Sequence, residues 1–135
     1  MHPTPTDLLL RRALKGNAVF SFLCGTALLA GGGGLAPLFG IPALALRVVG
    51  LTLLPFAVGL WRNASRTTVA RGEAWTAVAL DLAWVAGSIA LVVFELWPLE
   101  SAGTWAVIGL ADVVAFWALL QTFGLLRSRP EPVAA

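Results

Sequence analysis

The chain has 135 residues, 59% of them hydrophobic and only 12% charged, with a net charge of +2, whereas ordinary soluble domains carry about 25% charged residues. With its charges gathered between long apolar runs, this composition excludes a soluble globular domain and indicates an integral membrane protein of one domain. The small positive charge is no nucleic-acid surface either, because the basic residues stand at the ends of apolar runs, where lipid head groups account for them.

In chain order, residues 1–6 read as a flexible tail, with Thr6 as an N-cap and Asp7 beside it at the positive end of a helix. Arg11, Arg12 and Lys15 then lead into a first span over residues 15–33. The same stretch is similar to a secretory signal, but Lys15 falls one position short of twin-arginine spacing. Leu23 also stands before Cys24 where a lipoprotein signal requires a small residue, so the segment is read as a retained span. The four glycines at 31–34, followed by Pro37, Gly40 and Pro42, predict the first turn. No strand or lysine accompanies them in the pattern of a phosphate loop.

A second span is expected over 43–61, with Arg47 about a turn inside it and Pro55 near its middle as a kink. Thr52, Pro55 and Gly59 share a face that would let a neighbouring helix come close. Residues 62–73 form a basic loop containing the glycosylation triplet Asn63, Ala64 and Ser65, which the orientation derived below puts on the wrong side of the membrane. The third span, 74–97, places Ala74, Ala77, Asp81, Trp84, Ser88 and Glu95 on one helical face. A lone carboxylate against lipid is costly, so this stripe must look into protein or a polar cavity. The opposite face, Ala79, Ala83, Ala86, Gly87 and Ala90, is all small residues and suits close packing. It packs either within the bundle or in a homo-oligomer or larger membrane complex. A short connection through Pro98, Glu100, Ser101 and Gly103 leads to a fourth span over 104–126, and residues 127–135 form a disordered tail.

Basic residues flank cytoplasmic loops. Arg11, Arg12 and Lys15, then Arg62, Arg66 and Arg71, then Arg127 and Arg129 all fall on one side of a four-span chain, with Arg47 the exception. This predicts a multi-pass protein of the plasma (inner) membrane with both termini cytoplasmic. Trp61 and Trp75 mark the inner interface and Trp97 and Trp105 the outer one. Short connections make successive spans antiparallel neighbours, so the fold class is an all-α, up-down-up-down four-transmembrane-helix bundle.

Depth decides which polar groups can meet. Asn17, Ser21, Asp81 and Gln121 fall at similar depth and form an expected inner cluster. Arg47, Glu95 and Asp112 form an expected second cluster at mid-depth or in the outer half, with Arg47 snorkelling outward or pairing with Glu95 or Asp112. Asp112 shares its face with Trp105, Phe116, Leu119 and Phe123. Asp81 and Asp112 read either as a proton- or cation-binding site or as hydrogen-bonding ties between helices. Trp84, Phe116 and Trp117 are either core filling or the aromatic wall of a pocket for an organic cation.

Four spans in so short a chain, with aromatics near an intramembrane acid, resemble the small multidrug resistance transporters in architecture. Those proteins depend on a first-span glutamate, where this chain offers Asn17 and Ser21, so the resemblance carries over no site residue. A single cysteine, Cys24, and a single histidine, His2, leave no internal disulfide, cysteine metal pair or bis-histidine haem, and no metal or cofactor is expected. No nucleophile and base stand in a catalytic pattern, and Asp81 and Asp112 differ in depth and lack the motif context of an aspartyl intramembrane protease, so no enzyme is expected. Two functions remain: a structural or accessory membrane protein whose polar clusters fix the bundle or bind a partner span, and a small oligomeric proton-coupled transporter or ligand-binding protein using Asp81 or Asp112.

Overall fold

The computed structural model describes residues 5–128. The tail residues 1–4 and 129–135, and the side chains of Pro5 and Thr6, lie outside the described set. Among the described residues there are four helices and no strand: α1 (Pro5–Phe39), α2 (Ala43–Ser65), α3 (Arg71–Val93) and α4 (Ser101–Arg127). All four are long and apolar enough to cross a membrane.

Several boundaries depart from expectation: α2 runs on to Ser65 and α3 begins at Arg71, so the expected loop over 62–73 shrinks to 66–70, and α4 begins at Ser101. The glycines at 31–34 are helical, and α1 runs through them and Pro37 to Phe39. The turn falls instead at Gly40, whose φ of 72° is open to glycine at little cost. Part of the glycine run serves packing: the aliphatic stem of Arg47 lies across Gly32 and its guanidinium over Gly33. The backbone of α1 already starts at Pro5, so Thr6 lies inside the helix rather than at its cap.

The third helix stops at Val93, short of the expected 97. The Leu96 N–H donates to the Leu91 carbonyl and the Glu95 N–H to that of Val92, with Glu95 at φ 48°. This is a Schellman ending with glutamate at the left-handed position usually given to glycine. Glu95 therefore lies beyond the helix and off the Asp81 stripe.

α1 is the spine of the bundle. It packs against α2 and α4, and α3 packs on α4, while α2 and α3 scarcely touch. α1 and α2 come into backbone contact at Gly25 and Gly50, where a Cβ on Gly50 would stand 2.6 Å from the Gly25 carbonyl oxygen. The Thr52, Pro55 and Gly59 face makes no such approach; Gly59 has open space around it. The buried core lies toward one end, built from Leu10, Leu14 and Ala18 of α1, Leu60 and Ala64 of α2, Ala74, Ala77 and Val78 of α3, and Leu125 of α4. At the other end the two turns are stitched together. The Glu100 N–H donates to the Phe39 carbonyl, Trp97 Nε1 donates to the Gly40 carbonyl at 2.8 Å, and Gly103 packs against the Phe39 carbonyl.

Candidate functional site

Asn17 and Ser21 stand one turn apart on α1, so both project from the same side of the helix. Ser21 Oγ donates to Asn17 Oδ1 at 3.2 Å, and Asn17 Nδ2 donates to Asp81 Oδ2 on α3 at 2.8 Å. From α4, Gln121 Nε2 donates to the same Oδ2 at 2.9 Å and to the Trp117 carbonyl at 3.0 Å. The structure thus brings together Asn17, Ser21, Asp81 and Gln121, all buried, and one carboxylate oxygen ties three helices. The second oxygen, Oδ1, accepts no bond from the described residues, yet it is not a sealed atom, because Asp81 lines a cleft.

That cleft is the gap left where α2 and α3 fail to meet. It holds about 270 Å³, with Phe20, Cys24, Thr52, Phe56, Leu80 and Trp84 among the residues around Asp81. A second hollow of about 330 Å³, which shares Phe56 and Leu80 with it, is bordered by Pro55, Gly59, Asn63, Gly72, Glu73 and Thr76. An acceptor oxygen among aromatic walls in a mostly apolar hollow suits a molecule with a donor or cationic head and an apolar body.

The other expected site residues are not brought together. Arg47, Glu95 and Asp112 are all exposed, and among the described residues no hydrogen bond or ion pair joins them. Asp112 does share its face with Trp105, Phe116, Leu119 and Phe123, but that face is the outside of the bundle. Of the three aromatics, Trp84 lines the cleft. Phe116 is exposed, and Trp117 packs edge-on to it at 5.2 Å and over Gly16. Neither is among the residues that line the cleft. The small-residue face of α3 is outside too: Ala79, Ala83, Ala86 and Gly87 are exposed and Ala90 is half-buried.

Several residues read only as charges or as a glycosylation triplet have specific partners. Arg11 donates to the carbonyls of Ala64, Arg66 and Thr67, closing the end of α2. Arg71 donates to the carbonyls of Leu125 and Ser128 and to Ser128 Oγ, closing the end of α4. Both occupy the last-turn carbonyls that a helix cannot satisfy itself, at its negative pole. Asn63, 2% exposed, exchanges two bonds with the Ala70 backbone and holds the α2/α3 loop shut. The sequence signal for these roles was a basic residue or an asparagine beside a helix end. Two buried atoms on neighbouring turns of α4, Trp117 Nε1 and Gln121 Oε1, have no partner among the described residues.

No protein-family model, curated protein or solved structure matches this chain.

Proposed function

We propose that this chain is a four-span protein of the plasma (inner) membrane, threaded up-down-up-down with both termini cytoplasmic, that acts by binding rather than by catalysis. Its ligand is a small amphipathic molecule whose ammonium or other donor head sits on Asp81 and whose apolar body lies along Phe20, Phe56 and Trp84. The threading is supported by the gathering of Arg11, Arg66, Arg71 and Arg127 at one end, next to the carbonyls that Arg11 and Arg71 close. The ligand reading rests on one observation: Asp81 lines a lateral, aromatic-walled cleft with one carboxylate oxygen free of protein donors. Transport would be an extension of this site in an oligomer.

A structural or accessory role draws on a different observation, that Asp81 Oδ2 already ties α1, α3 and α4 through Asn17 and Gln121. The two readings separate in lipid nanodiscs with a labelled long-chain alkylammonium probe and its neutral alcohol analogue. The ligand reading expects saturable ammonium binding that Asp81→Asn abolishes and Asp112→Asn, which alters an acid outside the cleft, leaves intact. Equal binding to the wild type and Asp81→Asn, with both variants equally helical, would sink it. The accessory role would then stand.

A further inference from the structure

The second hollow, between α2 and α3, differs from the Asp81 cleft in what stands at its mouth. Its inner wall includes the buried Leu60 and Ala77. Gly59 of α2 and Gly72 of α3 line it as well, both exposed, and a Cβ on either would meet nothing within 4 Å. The two helices thus leave a groove of about 330 Å³ open to the side. Glu73 lines the same groove and pairs with Arg66, just past the end of α2, at 2.8 Å. That pair uses one guanidinium nitrogen, Nη1, and one carboxylate oxygen, Oε1. The other guanidinium N–H groups and Glu73 Oε2 make no bond among the described residues, and the two side chains are 42% and 52% exposed. Trp75, exposed two residues beyond Glu73, puts the pair at the depth of an aromatic belt, where head groups lie.

Apolar walls do not hold water, so in a bilayer hydrocarbon fills a groove of this kind. An ion pair at its mouth with one donor side and one acceptor side unused matches a zwitterion charge for charge. We propose that the α2/α3 hollow binds one zwitterionic phospholipid that carries a primary ammonium. Its acyl chain lies in the groove past Gly59 and Gly72, its phosphate sits on Arg66 and its ammonium on Glu73. The planar fork of an arginine spans two phosphate oxygens. A primary ammonium donates to Glu73 Oε2, which a trimethylated one has no N–H to do. An anionic head group would satisfy Arg66 and bring Glu73 no new partner. This binding rests on the four-span reading but not on Asp81, because the hollow shares Phe56 and Leu80 with the cleft and not its carboxylate.

For the test, the full chain is reconstituted in vesicles of equal parts phosphatidylethanolamine, phosphatidylcholine and phosphatidylglycerol and extracted in mild detergent. The lipid it keeps is identified by native mass spectrometry. The wild type should keep phosphatidylethanolamine, favoured over each of the others by roughly two- to fivefold, the strength of an exposed ion pair. Glu73→Gln leaves Arg66 unopposed and should turn the preference to phosphatidylglycerol. Gly59→Leu, which puts a side chain where the groove is open, should lose the retained lipid. Asp81→Asn should keep it, which separates this site from the cleft. A chain that fails to float with the vesicles overturns the four-span reading and the lipid site together. Lipid kept in the proportions of the vesicle overturns the lipid site alone. So does a preference unmoved by Glu73→Gln, or full retention by a Gly59→Leu chain that circular dichroism shows to be equally helical.

Discussion

Gly50→Ala tests the backbone contact between α1 and α2. The added methyl would stand 2.6 Å from the Gly25 carbonyl oxygen and 2.8 Å from the Leu29 nitrogen, where ordinary contact begins near 3.4 Å. Both obstacles are backbone of α1, so no side-chain rotation can relieve them, and the two helices must part by several tenths of an ångström. Overpacking of this kind costs about 1–3 kcal/mol, and any gain in helix propensity from losing a glycine offsets at most about 1 kcal/mol. The control is Gly87→Ala on the exposed face of α3, where nothing lies within 4 Å of the added methyl. That variant should change stability by under about 1 kcal/mol, in the favourable direction. Reversible unfolding in mixed micelles, followed by circular dichroism, reads both. A Gly50→Ala chain as stable as Gly87→Ala would mean that α1 and α2 are not in backbone contact, and the placement of Arg47 over Gly32 and Gly33 would fall with it.

Two further outcomes follow from the helix ends. Glu95→Gly should raise stability by about 0.5–1 kcal/mol, since glycine takes the left-handed conformation without the strain that glutamate carries at φ 48°; a loss in the same unfolding assay would show that the glutamate side chain has a role the ending does not explain. Arg71→Ala should cost about 1–3 kcal/mol, because it strips charge-assisted bonds from the Leu125 and Ser128 carbonyls. Arg71→Lys should recover only part of that, having no planar fork to span both acceptors. Full recovery by lysine would point to charge at the helix end rather than bonding geometry.

The Asp81 stripe was legible because helical period alone places Ala74, Ala77, Asp81 and Ser88 together, and all four are buried in the fold. Period says which residues share a face; it does not say where the face points. The Asp112 face shows the difference, since its grouping with Trp105, Phe116, Leu119 and Phe123 holds but its direction is outward. The end of α3 was hidden for another reason. The apolar run continues through Phe94, Leu96 and Trp97, and the residue that turns the chain is a glutamate rather than a glycine. The glycine run failed in the opposite sense. Glycine weakens helices in water, where solvent competes for the backbone. In an apolar surround the intrahelical carbonyl is the best acceptor a peptide N–H has, and Arg47 occupies the space that side chains at Gly32 and Gly33 would fill.

The cleft follows from how polar and apolar ties are distributed. α2 is drawn to α1 by backbone contact at Gly25 and Gly50 and by the grip of Arg11 on the Ala64 carbonyl in its last turn. α3 is drawn to α4 by packing and by Arg71, and to α1 by Asp81 and Asn17. Between α2 and α3 the loop clamp of Asn63 on Ala70 holds the near end, while the far end is tied through the turns by Trp97 and Gly40. None of these ties pulls the middles of the two helices together. Phe56 and Leu80, the large residues there, both line the gap that remains. None of the directional bonds at either end draws it closed, and the hollow beside Asp81 is part of the fold. A preformed site of that kind spares a ligand the cost of ordering its own pocket, and this is why the cleft beside Asp81, more than the outward acid on α4, is the place to look for binding.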